Sequence, residues 1–196
     1  MTGKSLKVYI VEDEPLVLNG YIAMLKANGF EIAGYSLKAM DAIHAIPGIK
    51  PDICIMDINL PDLDGISTVA RIQSIYRLPC ILVTGYNNLE LADKASQDGI
   101  YGYLRKPVDE IELVSMINIA KNNFEKQQQL EKKVASSAAD LENRKLIERA
   151  KGVLMDEFSM KEGDAMKYLQ KKSRDGNVKL VEVAQQVLAF LKKQNA

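Results

Sequence analysis

Acidic side chains follow two strand-like segments of this sequence. Glu12 and Asp13 come directly after the apolar run Lys7 to Val11, and Asp57 comes directly after Ile53 to Met56. If both runs are strands of one parallel sheet, their carboxyl ends lie at the same edge and the three carboxylates meet there. Carboxylates clustered without cysteine or histidine favour a hard cation such as Mg²⁺, which relieves their mutual repulsion and can bridge a phosphoryl group.

Two further segments end in residues that suit a phosphate. The run Cys80 to Thr84 ends in a hydroxyl, and the run Tyr101 to Arg105 is followed by the ammonium of Lys106. Both would point into the same crevice and match the charge of a bound phosphoryl group. Taken singly, each residue has a plain structural explanation, since Glu12 could begin a helix and Asp57 a turn. Together they predict a phosphorylation site.

The elements that must position these residues alternate along the chain. Five β-branched apolar segments recur and predict strands at Lys7 to Val11, Glu31 to Tyr35, Ile53 to Met56, Cys80 to Thr84 and Tyr101 to Arg105. Helical spacing separates them, as in the two sets Val17, Tyr21, Met24, Leu25 and Ile66, Val69, Ile72, Ile75. Strand followed by helix, five times over, predicts an α/β fold with a doubly wound five-stranded parallel sheet.

The pattern changes after Pro107, where proline stops and helix-forming residues dominate. Residues 109–150 could form one long helix, whose stripe Leu130, Val134, Ala138 and Leu141 suits a coiled-coil linker that pairs two chains. The polar run at 127–129 leaves that pairing open. The last segment predicts an all-α bundle of three helices, at Leu141 to Phe158, Lys161 to Arg174 and Leu180 to Lys193. We place the domains at 1–124, 125–140 (linker) and 141–196.

Residues 5–124 resemble the receiver domain of two-component response regulators, a flavodoxin-like fold. The resemblance implies that Asp57 accepts a phosphoryl group from a sensor histidine kinase. It also implies that Glu12, Asp13, Asp57 and the backbone carbonyl of Asn59 hold Mg²⁺. Lys106 would pair with a phosphoryl oxygen, and Thr84 and Tyr103 would form the family's switch pair. Glu12 occupies a position where Asp is commoner in the family. Its side chain is longer by one methylene, and Asp13 can still ligate Mg²⁺ directly.

Residues 135–194 resemble the ANTAR domain. The motif Ala150 to Met155, followed at helical spacings by Ala165, Leu169, Leu180, Val183 and Ala184, carries the resemblance. It implies a three-helix RNA-binding module that promotes transcription antitermination by binding paired stem-loops in leader RNA. Ala150 and Gly152 are interpreted as allowing close helix approach, with Val153, Leu154 and Phe158 in the core. Ser173 departs from the small apolar residue that is common there.

Charge is divided unevenly along a chain whose formal net charge is zero. Residues 1–120 hold 15 acidic and 10 basic groups, whereas residues 121–196 hold 11 and 16. The surplus of five positive charges favours an anionic partner for the second half, although solvated helices also carry such a surplus. Candidate RNA contacts are Arg144, Arg149, Lys151, Lys172, Arg174, Asn177 and Lys179. Tyr168 could stack on a base or lie in the core.

The function predicted is a response regulator phosphorylated on Asp57 that controls gene expression by RNA binding, with possible homodimerisation on phosphorylation. The alternative is an adaptor whose helical tail docks a partner protein. A DNA-binding output is disfavoured because the last helix is nearly uncharged. An enzyme with a small-molecule substrate is disfavoured because no histidine, cysteine or phosphate loop occurs after residue 124.

The remaining signals indicate an intracellular protein. No apolar run reaches the ~18 residues of a membrane span, so we expect a cytoplasmic chain that does not enter a membrane. Cys54 and Cys80 lie in apolar segments without metal-ligand spacing, and we expect both to be reduced core residues. His44, the one histidine, is expected on the second helix, in a surface or packing role.

Overall fold

The computed structural model of the chain describes residues 5–85 and 98–194, with side chains up to residue 190. The chain divides into two compact units, Met1–Gln128 and Gln129–Ala196, and each is described by itself. Among the helices of the described ranges, none combines the length and the apolar composition of a membrane span.

Five parallel strands form one sheet in the order β2-β1-β3-β4-β5. The strands are β1 (Lys7–Val11), β2 (Glu31–Ser36), β3 (Ile53–Asp57), β4 (Cys80–Thr84) and β5 (Ile100–Arg105). Each lies within one residue of its predicted bounds. The central strands β1, β3 and β4 are buried on both faces, as their apolar β-branched runs predict. The chain leaves β1 on one side to form β2 and on the other to form β3. Such a switch point opens a crevice at the carboxyl ends of the strands.

Helices cover both faces of this sheet. On one face α1 (Pro15–Ala27) and the beginning of α4 (Glu110–Phe158) contribute to one apolar cluster, and on the other α2 (Ala39–Ile49) and α3 (Gly65–Ile75) contribute to a second. The predicted doubly wound α/β architecture is therefore confirmed. The helix expected between the fourth and fifth strands lies outside the described residues.

Alternation along the strands decides which side chains enter which cluster. On β1, Val8 and Ile10 face α1 and α4, whereas Tyr9 and Val11 face α2 and α3. Cys54 and Cys80 are fully buried free thiols and register partners on β3 and β4. They are core residues, as predicted.

Two helix positions test the predicted spacing. The stop at Asn28 is confirmed, since α1 ends there and Gly29 has a φ of +80°, the left-handed region that favours glycine. Ile75, predicted on the inner face of α3, is instead 60% exposed because it is the last residue of that helix. His44 lies exposed on α2, as expected.

The second unit is built from three helices. The end of α4 packs with α5 (Glu162–Gly176) and α6 (Leu180–Gln194). Their core consists of small and aliphatic residues, two from each helix: Ala150, Leu154, Ala165, Leu169, Val183 and Ala184. This is the predicted bundle. Its first helix is continuous with the predicted linker, because α4 runs unbroken from Glu110 to Phe158.

Two expectations about packing in the bundle were wrong. Phe158 is 53% exposed because α4 ends at this residue, and its ring lies on the surface rather than in the core. A Cβ placed on Gly152 would have no atom within 4 Å, so close helix approach does not explain this glycine. Val153 is half-buried.

The linker part of α4 presents its apolar stripe to solvent. Every residue from 129 to 142 is exposed, and Leu130, Val134 and Leu141 are 62%, 68% and 55% exposed. This helix face has the composition of a coiled-coil seam, and in the part of the chain that the structure describes its large apolar side chains are exposed.

Candidate functional site

Three carboxylates lie together at the carboxyl edge of the sheet. Glu12 follows β1 and is 1% exposed, Asp13 is half-buried, and Asp57 is the last residue of β3 and 4% exposed. One oxygen from each lies within 4.8 Å of the others. Because β1 and β3 are hydrogen-bonded neighbours, side chains 44 positions apart in sequence meet at one point.

Lys106 completes this cluster from β5. Its Nζ lies 2.5 Å from Asp57 Oδ2 and 2.9 Å from Glu12 Oε1, and the side chain is 18% exposed. The Lys106 backbone N–H donates to the Thr84 carbonyl at 2.8 Å, which fixes the turn after β5 against the end of β4. The ammonium is thus shared between two carboxylates that would otherwise repel each other.

The charges of this cluster shift the pKa values of its members. Burial raises the pKa of Glu12, and the charge of Asp57 raises it further, against the lowering effect of Lys106. Burial alone would lower the pKa of Lys106, but its hydrogen bonds with Asp57 and Glu12 outweigh this and raise it. Lys106 is therefore a permanent cation at any physiological pH.

The donor set fits a magnesium ion. All three clustered ligands are carboxylate oxygens, the hard donors that Mg²⁺ prefers, and their negative charge exceeds that of the single ammonium beside them. Asn59 is exposed beside the cluster, where its backbone N–H donates to Asp57 Oδ1 at 3.0 Å. Glu12, Asp13 and Asp57 could therefore hold a divalent cation.

Thr84 lies on β4, the strand next to that of Asp57, and Tyr103 lies one strand further along the sheet, on β5. Thr84 ends β4 and is 8% exposed, and Tyr103 is half-buried on β5 against the cluster on the α2 and α3 face. Within the described residues the Tyr103 hydroxyl has no hydrogen-bond partner, and burial raises its pKa. Their action as a switch pair stays a prediction.

Sequence reasoning missed the residues that shape the loop after Asp57. A Cβ on Gly65 would overlap the carbonyl oxygen of Asp57, so only glycine lets this loop fold back onto the end of β3. Asp62 accepts hydrogen bonds from the Ala39 and Met40 N–H groups at 2.9 and 3.0 Å, which lower its pKa. Asp64 accepts from Ser67 N–H and caps α3. The acidic spacing itself was the available signal, since Asp is a preferred helix cap.

In the second unit, the nominated RNA contacts fall into two groups. Arg144, Arg149, Lys172, Arg174 and Lys179 are exposed, and within the described part of the chain no carboxylate lies within 4.0 Å of their charged groups. These exposed cations could meet a phosphate, and Arg174 Nε also donates to the Gln170 carbonyl at 3.4 Å.

The other nominated residues have structural roles. Lys151 is 9% exposed, and its Nζ bonds Glu148 at 3.0 Å and Glu162 at 2.9 Å, which ties α4 to α5. Asn177 ends α5 in the left-handed conformation, with φ 48°. Ser173, the departure noted in the sequence, donates to the Val178 carbonyl at 2.6 Å and closes the same turn.

A groove of about 790 Å³ opens among the three helices, and it is lined by the end of α4, the second half of α5 and the middle of α6. Three partly exposed rings line it, Phe158, Tyr168 and Phe190, at 53%, 38% and 57% exposure. Lys172 Nζ lies 5.9 Å from the centre of the Tyr168 ring, within reach of a cation–π contact. Tyr168 is therefore not a core residue.

Two family models match the chain. The response regulator receiver domain covers residues 8–118, more than half of the sequence, and the ANTAR domain covers residues 135–188. The chain belongs to the response regulators. Both resemblances seen in the sequence are thereby confirmed, and a receiver joined to an ANTAR domain makes it a two-component regulator with RNA-binding antitermination as its output.

Individual relatives are similar to this response regulator over different fractions of its length. The transcriptional regulatory protein PdtaR of Mycobacterium tuberculosis is 35% identical over 185 residues, which cover 94% of this chain and 90% of that one. The transcriptional regulatory protein BtsR of Salmonella typhi is 30% identical over 123 residues, 62% of this chain and 51% of that protein. Among solved structures, the receiver domain of a modulated diguanylate cyclase from Desulfovibrio desulfuricans G20 matches with a TM-score of 0.59 and 30% identity. That match covers 63% of this chain and 99% of the other.

Proposed function

We propose that a histidine kinase phosphorylates Asp57 and that phosphorylation controls RNA binding by the C-terminal helices of this regulator. The observation that carries the proposal is the shared ammonium of Lys106, 2.5 Å from Asp57 and 2.9 Å from Glu12 at the carboxyl edge of the sheet. A carboxylate held between a fixed cation and two further carboxylates suits phosphoryl transfer, which depends on positioning and charge neutralisation.

In the proposed reaction, an Asp57 carboxylate oxygen attacks phosphorus as the P–N bond of the kinase phosphohistidine breaks. The imidazole leaves with the bonding electrons, and an acyl phosphate remains on Asp57. Lys106 already touches Asp57 and supplies a donor to a phosphoryl oxygen, and the Thr84 hydroxyl at the end of β4 supplies a second. Magnesium bound by Glu12, Asp13, Asp57 and the Asn59 carbonyl would neutralise charge on the transferred group.

The receiver acts in this scheme as a phosphoacceptor rather than as an enzyme with its own substrate. Its chemistry is limited to taking a phosphoryl group from a donor and releasing it to water. We propose domain boundaries of 1–124, 125–140 and 141–196. Contact with a kinase and with nascent RNA also implies a cytoplasmic location, which we include in the proposal.

We further propose that RNA meets the bundle at its basic end, defined as Lys172, Arg174 and Lys179. Among the described residues no carboxylate lies within 4.0 Å of these cations, so they can neutralise phosphates. Arg144 and Arg149 on α4 are further exposed cations of the second unit. The rings beside Lys172 offer flat surfaces to the unstacked bases of an RNA loop. We leave Lys151 and Asn177 out, because both are engaged in holding the bundle together.

The test is an RNA-binding titration with a transcript that carries two adjacent stem-loops. We expect acetyl phosphate and Mg²⁺ to tighten binding by wild type and to leave D57N unchanged. D64N is the matched control, because asparagine still caps α3 and Asp57 is intact. Binding should weaken steeply as salt rises, since phosphate contacts release counterions. Equal binding by phosphorylated and unphosphorylated wild type would contradict the proposal.

We propose that the linker stripe pairs two phosphorylated chains. With Leu130 at a d position and Val134 and Leu141 at a positions of a heptad, Asp140 of one chain would face Lys145 of the other in a parallel pair. The exposure of all three apolar residues in the single chain supports an unfilled seam.

The second candidate function is an adaptor that docks a partner protein. The apolar groove between the bundle helices favours it, because exposed rings around a cavity of this size also accept a helix of another protein. Capture of a protein that K172E releases, together with absent RNA crosslinks in cells, would favour the adaptor over the RNA binder.

A further inference from the structure

One buried hydroxyl beside the phosphorylation site has no hydrogen-bond partner. Tyr21, on the inner face of α1, is 4% exposed, and its hydroxyl bonds no other group in the described part of the chain. Tyr9, a second buried tyrosine, is satisfied, because its hydroxyl lies 2.6 Å from Ser36 Oγ. An unsatisfied buried donor is costly, and where one persists it calls for a physical reason.

The position of Tyr21 supplies that reason. It lines a cleft of about 490 Å³ together with Lys106, and apolar residues such as Val17, Pro107 and Val108 form the rest of the walls. The pKa of Tyr21 is raised to about 12, first by burial and then by the charge of Glu12. Because Tyr21 lines the same cleft as Lys106, and Lys106 Nζ lies 2.9 Å from Glu12 Oε1, the side chain of Tyr21 lies beside the phosphorylation site.

Glu12 accepts from two donors, the Glu14 backbone N–H at 3.3 Å and Lys106 Nζ, and both hydrogen bonds go to Oε1. Lys106 Nζ bonds Glu12 Oε1 at 2.9 Å and lies 2.8 Å from Oε2 at an angle outside that of a hydrogen bond, while it also bonds Asp57. When Asp57 carries a phosphoryl group, the ammonium is drawn to the new oxygens. The Glu12 carboxylate, which is 1% exposed, then keeps the Glu14 N–H on Oε1, but within the described residues its Oε2 has no protein hydrogen-bond donor, which is unfavourable.

We propose that Tyr21 is a positioning residue of the phosphorylation site: its hydroxyl donates to the Glu12 carboxylate, directly or through one water in the cleft, once Lys106 has turned to the phosphoryl group. In the unphosphorylated state the Tyr21 hydroxyl makes no hydrogen bond within the described residues, and in the phosphorylated state it donates one to Glu12. This inference rests on the proposed phosphorylation of Asp57.

The test measures binding of beryllium fluoride, which mimics a phosphoryl group on an aspartate, to the full chain by calorimetry with Mg²⁺ present. Loss of a hydrogen bond to a charged group should weaken the affinity of Y21F by about tenfold relative to wild type. The denaturant midpoint of Y21F should stay the same or rise, because the variant removes only an unsatisfied group. If Tyr21 had only a structural role, Y21F would not lower the affinity for beryllium fluoride while leaving the denaturant midpoint unchanged or higher.

Y9F is the matched control. It loses the bond with Ser36, so its denaturant midpoint should fall, while its affinity for beryllium fluoride should equal that of wild type. Wild-type affinity in Y21F, or an affinity loss accompanied by an equal loss of stability, would overturn the role of Tyr21. Failure of wild type itself to bind beryllium fluoride would instead refute Asp57 as the acceptor.

Discussion

At the residue scale, the site depends on side chains whose types are visible in the sequence and whose contacts are not. Glu12, Asp57 and Lys106 were predictable because polar residues at the ends of parallel strands must meet at one edge. Tyr21 was recognised only as a residue of the inner face of α1, since helical spacing gives a direction and not the reach of a hydroxyl. The sharing of the Lys106 ammonium between Glu12 and Asp57 could not be predicted from the sequence and is seen only in the folded structure.

Replacing Lys106 by methionine should destabilise the receiver by about 3 kcal/mol, because two buried carboxylates lose their cation. The folded-state pKa of Lys106 is raised above its ordinary value of 10.5, so this stability is fully present below pH 10.5. It is lost as the pH rises through the raised value. Denaturant unfolding followed by circular dichroism should therefore show a K106M deficit that is constant from pH 7 to about pH 10 and shrinks above it.

Lys121 provides the control for this measurement. Its side chain is also 18% exposed, but it pairs with the more exposed Asp52 and Glu125 at 3.8 and 3.5 Å. K121M should cost less than ~1 kcal/mol. A K106M deficit as small as that of K121M would mean that the shared ammonium contributes little to stability.

At the element scale, apolar periodicity was sufficient for the strands and for the three bundle helices. Apolar periodicity did not predict the burial of a side chain where that burial depends on which neighbouring element covers the helix face. Phe158 has the spacing of a core residue from Leu154, yet α4 ends there and the ring stays exposed. Gly152 was interpreted as a close-packing residue, but a glycine in a sequence gives no sign of whether its missing side chain would meet a neighbour.

The G152A variant should raise the free energy of unfolding of the full chain by about 0.8 to 1 kcal/mol, because alanine stabilises a helix interior and meets open space here. Thermal unfolding with two-unit analysis measures the change. G65A is the contrasting variant, since its Cβ overlaps the Asp57 carbonyl and must displace the loop. A stability loss in G152A would show that the helix needs the glycine for a packing reason after all.

At the scale of the whole molecule, the uneven division of charge and the solvent-exposed linker stripe indicate how the two domains could act together. The sequence predicted an acidic receiver and a basic helical half, and the family models place a receiver and an ANTAR domain in those halves. Oligomeric state was not predictable to the same degree, because a short stripe with small residues is compatible with one chain or two.

Phosphorylated wild type should sediment as a dimer, and the L130Q/V134Q variant should stay monomeric at the same level of phosphorylation. The reason is that glutamine removes apolar area from the seam while keeping the helix. S136Q, on another face of α4, serves as the control and should dimerise normally. Dimers of equal strength in L130Q/V134Q would place the contact elsewhere on the chain.

The ammonium of Lys106, shared between two carboxylates, determines the net charge of the phosphorylation site. Glu12, Asp13 and Asp57 carry three negative charges and Lys106 returns one, so the remainder equals the charge of a single divalent ion. With Mg²⁺ bound, the charges of these four side chains and the ion would sum to zero before phosphorylation. An acyl phosphate carries about two negative charges where the carboxylate carried one, so the site then becomes anionic by about one unit. Inside a protein such a unit is screened far less by salt than it would be at the surface. Phosphorylation of Asp57 would therefore change this edge of the sheet by about one weakly screened negative charge.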